Sequence, residues 1–198
     1  MSTTTTDPAA QPLPPRPLRA DAARNRAKLL AAAREAFTED GAGASLEDIA
    51  RRADVGIGTL YRNFETRQAL LEAVYVDEVA AICAAADDLD GLAPWDALVS
   101  WLRSFAAYAA TKKALGAELM AYLDGEAPVF LQCRQSIVAA GAPLLERAQR
   151  AGEVRADAEL MDVMRMVGGI ATIANAEPGQ IERILAVALD GLRPQPAA

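Results

Sequence analysis

The chain contains no histidine. That absence removes the commonest general base and the commonest metal ligand, and with them serine-type triads and most zinc sites. Lysine is almost as scarce: Lys28, Lys112 and Lys113 are the whole set, and none sits in a recognisable motif. Aromatic residues make up only 5% of a chain that is 52% hydrophobic and rich in alanine. This disfavours a Val/Ile/Tyr-rich sheet and favours helices whose backbones pack closely. There is no run of about 18 apolar residues to span a membrane, and no glycine-rich phosphate loop follows a strand pattern, since Gly168-Gly169 lies inside a helical one. The two cysteines, Cys83 and Cys133, fall at apolar positions of predicted helices and read as small core residues kept as thiols in a reducing compartment. No metal, no cofactor and no enzymatic activity are expected. Carboxylate or lysine chemistry stays formally open, without a paired motif to support it.

What is present is helical periodicity. The 198 residues suffice for one domain with a good core, or for a small module fused to a larger one. Residues 1–18 are rich in Thr, Pro and Ala and read as a disordered tail with no apolar centre to act as a signal peptide, so a cytoplasmic location is expected. Asp21 can cap a first helix with Leu30, Ala33 and Phe37 inward, ending at Asp40-Gly41-Ala42-Gly43. Ser45 and Asp48 resemble a capping box that opens a second helix, with Leu46, Ile49, Ala50 and Ala53 on one face. A third short helix is predicted from Ile57 to Asn63. Thr66 caps a long fourth helix, with Leu70, Leu71, Val74, Ile82 and Ala86 recurring at helical spacing up to the acidic cluster Asp87-Asp88-Leu89-Asp90. Pro94 restarts the pattern through Leu98, Leu102, Phe105 and Ala109. Another helix runs from near Pro128 toward Gly152, with a kink predicted at Gly141 and Pro143. The last two are predicted over Glu159–Ala174 and Pro178–Leu192.

The stretch LEDIARRADVGIGTLYRNF, Leu46 to Phe64, has the features that laying a short helix against DNA requires. Ala50 is small where a second helix crosses close by, and Asp54 or Gly56 tolerates the unusual dihedrals of a tight turn. Ile57, Gly58 and Thr59 are small enough at the start of the next helix to approach the major groove. Leu60 and Phe64, four apart, pin that helix to the core. Tyr61, Arg62 and Asn63 are left to project toward phosphates and base edges. Arg67, a cation in the first turn of the following helix, runs against the helix dipole and is better explained by a phosphate partner. The bland alternative is a solvated helical hairpin.

A formal charge of -7 should repel DNA, but the charges are unevenly placed. Residues 1–75 hold ten Lys/Arg and ten Asp/Glu, whereas 76–198 hold ten and seventeen. Between Arg16 and Arg34, six cations including Arg19 and Arg24 face the single acid Asp21. A basic arm and first helix would flank the recognition helix, while the acidic remainder would discourage non-specific binding. A solvated basic face on an Ala-rich helix is the alternative.

The segment from about Arg24 to Tyr75 resembles the DNA-binding domain of the TetR family of bacterial transcriptional regulators. The resemblance is carried by the first helix ending Ala36-Phe37 and Gly41, by Leu46-Glu47-Asp48-Ile49-Ala50, by Val55-Gly56-Ile57-Gly58-Thr59-Leu60-Tyr61-Arg62-Asn63-Phe64, and by Leu70-Leu71. The family usually has Ala-Gly-Val-Ser where this chain has Ala53-Asp54-Val55-Gly56, Lys where it has Arg67, and often His where it has Asn63. The resemblance implies an all-α protein of about nine helices: a three-helix helix-turn-helix domain over 19–65, joined by a long fourth helix to a helical ligand-binding and dimerisation domain over 66–198. It also implies a homodimer on a palindromic operator duplex, with a small ligand that weakens DNA binding. Carried over by position, Thr59 and Tyr61 would contact phosphate or base edges, Ser45 and Arg67 phosphate, and Ile57 and Gly58 the groove.

Beyond that segment the reading stays physical. Trp101, Phe105, Tyr108, Met120, Tyr122, Phe130, Met164 and Met166 could line a pocket between the middle helices, with Arg134 or Asn175 as polar handles for an apolar or aromatic ligand. Aromatics and methionines at helical spacing more often serve as core than as pocket lining. The last helices carry apolar stripes, Val163, Val167, Ile170, Ala171 and Ala174, then Ile181, Ile184, Leu185, Ala188 and Leu189. Gly168 and Gly169 weaken their helix by about 1 kcal/mol each relative to Ala, so close approach of another helix is expected to compensate. In the family such helices form the dimer's four-helix bundle; burial within one chain is the other possibility. The expected function is a ligand-released repressor. The alternatives are a same-fold activator, or a regulator that answers to a protein partner.

Overall fold

The computed structural model describes residues 17–122 and 128–194, apart from the side chains of residues 17–19, 42 and 114–122. Eight α-helices and one 3-10 turn make up this part, with no strand among the described residues. They are α1 (Pro17–Asp40), the turn Gly41–Gly43, α2 (Leu46–Arg52), α3 (Ile57–Asn63), α4 (Arg67–Asp87), α5 (Pro94–Tyr122), α6 (Pro128–Arg150), α7 (Leu160–Ala171) and α8 (Gln180–Asp190). The all-α class matches expectation, with eight helices where the resemblance implies about nine. Among the described residues no helix is long and apolar enough to cross a membrane.

The buried apolar residues form one continuous cluster, and α4 threads through it. Its first turns bury Leu70 and Leu71 beside Leu29, Leu30, Ala33 and Phe37 of α1, Ile49 and Ala50 of α2 and Leu60 of α3. Its later turns bury Val74, Tyr75, Val79 and Ile82 in the same cluster as α5 and α6 residues. One rigid rod therefore belongs to both halves of the molecule. Arg34 of α1 adds a polar link, bonding Asp77 at 3.0 Å and also pairing with Glu78, both on α4.

Helix starts follow local chemistry. α1 begins at Pro17, whose fixed φ and missing N–H suit a first helical position. Asp21 is therefore not the cap expected of it; it lies inside the helix and pairs with Arg24. Thr66 does cap α4, its hydroxyl accepting from the Ala69 amide at 3.0 Å. α6 continues through Pro143. Gly141 serves close contact there: a Cβ on it would lie 2.2 Å from Cη2 of Trp101, so only glycine lets α6 lie against that ring. α7 and α8 are shorter at both ends than expected, because Thr172 caps α7 and the chain then turns through Asn175 (φ 55°) and Gly179 (φ 73°). Residues just after α6 and α8 hold the start of α5: the Glu153 carboxylate accepts the Trp95 amide at 2.7 Å, and Arg193 stacks 3.7 Å over the Trp95 ring.

Candidate nucleic-acid interface and internal cavity

Ser45 adopts extended dihedrals, and its hydroxyl accepts from the Asp48 amide at 3.0 Å, so one half of the expected capping box is formed. The Asp48 carboxylate goes elsewhere, to Arg51 and, at 2.6 Å, to Arg52. Arg52 reaches on to Glu39 at 2.6 Å and Asp40 at 3.6 Å, tying the end of α2 to the end of α1. This network, led by the Arg52 hydrogen bond, holds the Asp48 carboxyl below the usual carboxylate range. Between α2 and α3, Asp54 takes the left-handed conformation (φ 54°), while Gly56 is the extended N-cap of α3. Of the two turn candidates, Asp54 is therefore the one that bears the unusual dihedrals.

α3 lies over Phe64, 4% exposed, and the fully buried Leu60. Outward it presents Ile57 at 38% and Tyr61 at 47% exposure, beside exposed Gly58 and Arg62. No heavy atom lies within 4 Å of a Cβ built on Gly58, so its small size opens the outer face rather than the core. Arg62 donates to the Thr59 hydroxyl at 2.9 Å and stays exposed. Two of the expected contact residues make bonds within the chain. Asn63 turns back and donates its amide to the Thr59 carbonyl at 2.8 Å, so its side chain is engaged within its own helix. Arg67 reaches inward, bonding the carbonyl of Ala44, approaching that of Gly41 at 3.4 Å and lying 4.9 Å from the Phe37 ring centroid. Those carbonyls stabilise a cation in the first turn of α4 from within the chain. The Ser45 hydroxyl is exposed and, while accepting from Asp48, keeps its own proton to donate. Arg24 is paired with Asp21 and Arg34 is turned to α4, which reduces the expected basic face; the Arg19 side chain lies outside the described residues.

A cavity of about 530 Å³ lies between α4, α5, α6 and α7. Five expected residues line it: Phe105, Tyr108, Phe130, Arg134 and Met164. Trp101 does not. It is fully buried, donates its indole N–H to the Ile82 carbonyl at 3.3 Å and stacks on Phe105 at 6.0 Å, so it is core. Asn175 sits exposed in the α7–α8 turn, Met166 lines a smaller groove beside α8, and the side chains of Met120 and Tyr122 lie outside the described residues. The wall also contains residues that periodicity assigns no role: Tyr75, Ile137, Met161, Thr172, Lys112, Lys113 and Arg165. Tyr108 donates to the Tyr75 hydroxyl at 3.1 Å, and Tyr75 meets Phe130 edge-on at 5.2 Å. Burial pushes both phenols up. The Lys112 ammonium lies 5.7 Å from the Tyr75 ring centroid, and desolvation followed by the nearby Arg134 charge pulls its pKa down.

The terminal stripes divide. Val167, Leu185 and Leu189, expected at a dimer interface, are 0%, 2% and 2% exposed within the single chain and pack α7 and α8 onto their neighbours. Gly168, Ile170, Ala171, Ile181 and Ala188 are half-buried, and Val187, which the stripe omits, is 75% exposed. Within the chain neither glycine is closely approached: a Cβ on Gly168 would make only ordinary contacts at 3.9 Å, and one on Gly169 would meet nothing.

Residues 29–74 match the family model described as bacterial regulatory proteins, tetR family, and residues 93–194 match that of the SbtR-like transcriptional regulator C-terminal domain. A TetR transcriptional regulator from Streptomyces coelicolor is similar in structure, with TM-score 0.78 and 42% identity, covering 86% of this chain and 99% of that one. The TetR transcription regulatory protein from Mycobacterium vanbaalenii gives 0.74 and 40%, covering 90% and 100%. The HTH-type transcriptional regulator UidR of Escherichia coli is 31% identical over 106 residues, 52% of this chain. The chain spans about half the length of the curated relatives it matches, 54%.

Proposed function

The chain belongs to the TetR family of bacterial transcriptional regulators, and from that premise we propose that it is a cytoplasmic repressor that binds a palindromic operator as a homodimer and is released by a small ligand. The observation that carries this reading is the outer face of α3, where Ile57, Gly58, Tyr61 and Arg62 are exposed while Leu60 and Phe64 anchor the helix beneath them. A helix so anchored can enter a major groove as a rigid body, with the phenol and guanidinium reaching phosphate and base edges. The Ser45 hydroxyl at the start of α2 adds a phosphate donor. Half-sites one helical turn apart would be read by two copies joined through α7 and α8, with Ile170, Ile181 and the exposed Val187 in contact.

The ligand would act through α4. Tyr75 on α4 forms part of the cavity wall and bonds Tyr108 on α5, one to two turns beyond the Leu70-Leu71 pair that supports the DNA-binding helices. A ligand that takes over the Tyr75 hydroxyl would bias the position of α4, and the Arg34 link to Asp77 and Glu78 would carry that bias to α1. The cavity favours a small-molecule effector over a protein partner, since a dry core would leave no room for one. Selection of the purified protein against random duplex DNA tests the reading. Enrichment of a palindrome, lost by a Tyr61→Ala variant of unchanged fold and oligomeric state, is the expected result. No enrichment by the wild type, or equal enrichment by the variant, would overturn it.

A further inference from the structure

We propose that the cavity takes an organic anion, a carboxylate on an apolar or aromatic body, with Lys112 and Arg134 receiving the carboxylate. This rests on the reading of the cavity as the effector site and names the chemistry of its ligand. Residues 76–198 carry seventeen acidic against ten basic residues, yet every charged side chain among the described residues of the cavity wall is a cation. Two of the four are already engaged. Arg165 pairs with Asp162 at 3.2 Å, and the Lys113 ammonium donates to the Thr172 carbonyl at 2.5 Å.

Lys112 and Arg134 have no carboxylate partner among the described residues. Both project into the same cavity wall, and the Arg134 charge disfavours that of Lys112, the situation that an incoming anion relieves. Both are exposed at the wall, whereas Tyr75, Tyr108 and Met164 beneath them are buried and largely apolar. The arrangement is a cationic rim over an aromatic floor. It suits a molecule with one charged end and an apolar body: the Arg134 fork can take both carboxylate oxygens while the Lys112 ammonium supplies a point charge. A neutral ligand would leave two like charges uncompensated, and a cationic one would add a third.

The test uses matched probes on the full chain. Decanoate, 2-naphthoate and biphenyl-4-carboxylate are each compared by titration calorimetry with the methyl ester and the primary amine of the same body. The carboxylates are expected to bind roughly 10- to 100-fold more tightly than their esters. The double variant Lys112→Gln, Arg134→Gln should lower carboxylate affinity to that of the ester while ester affinity stays unchanged, which also reports an intact pocket. Esters or amines that match the carboxylates in the wild type, no binding by any probe, or a carboxylate preference that survives in a variant with unchanged ester affinity would each overturn the proposal. Release of the selected duplex is measured separately. Carboxylate binding without release keeps the anion site and overturns the effector reading, whereas release by a neutral ligand of this cavity does the reverse.

Discussion

Replacing Gly141 by alanine adds one methyl group against a ring that has nowhere to go. The new Cβ would stand 2.2, 2.6 and 2.9 Å from three carbons of Trp101. To restore van der Waals separation the ring or the helix must shift by roughly 1 Å, a change that close-packed interiors resist. Trp101 is fully buried, its indole N–H is bonded to the Ile82 carbonyl at 3.3 Å and its face is stacked on Phe105. Overpacking of this kind costs about 1–3 kcal/mol, and a strained or lost bond from the buried N–H adds about 1–3 kcal/mol. Alanine's better helix propensity returns about 1 kcal/mol. The net expectation is destabilisation of about 1–5 kcal/mol, read as a lower midpoint in urea unfolding. Gly169→Ala is the control, since its Cβ meets nothing and its φ is ordinary, so it should stabilise by about 0.5–1 kcal/mol. In a Trp101→Leu background the clash disappears and Gly141→Ala should become neutral or favourable. A wild-type background in which Gly141→Ala is as stabilising as Gly169→Ala would refute the contact between α6 and Trp101.

Two other expectations test separate parts of the account. The Asp48 carboxyl, held down by Arg52 and Arg51, contributes stability that is present above about pH 4 and lost as pH falls through its lower folded value. Asp48→Asn should therefore destabilise near neutral pH and flatten the acid limb of a stability-against-pH curve, and an unchanged limb would contradict the assignment. Val187→Glu should convert a dimer into a folded monomer by sedimentation, because the side chain is exposed in the single chain; Leu185→Glu, at a buried position, should unfold it instead.

Where the sequence signals both ends of an element, the structure agrees closely: α3 spans Ile57–Asn63 as its flanking turn and Phe64 anchor require. Cap chemistry misleads at Asp21, because an acid near a helix start resembles a cap while Pro17 begins the helix earlier. Arg67 shows the limit of dipole reasoning. A cation in a first turn looks misplaced until the carbonyls of the preceding turn, distant in sequence, fold around it. The cavity was half legible, since aromatic and Met spacing finds Phe105, Tyr108 and Met164 but cannot separate them from Trp101, whose role is fixed by α6 across the core. Lys112-Lys113, an isolated basic pair in an acidic region, was the available sign of a charged wall.

Affinity for the selected duplex, measured by fluorescence anisotropy at two salt concentrations for the wild type and Tyr61→Ala, tests most directly whether α3 reads DNA. Wild-type affinity should fall steeply with salt, and the variant should bind roughly 10- to 100-fold more weakly while keeping its circular dichroism and oligomeric state. Equal affinity of the two proteins, or binding indifferent to salt, would contradict the assignment of α3 as the recognition helix.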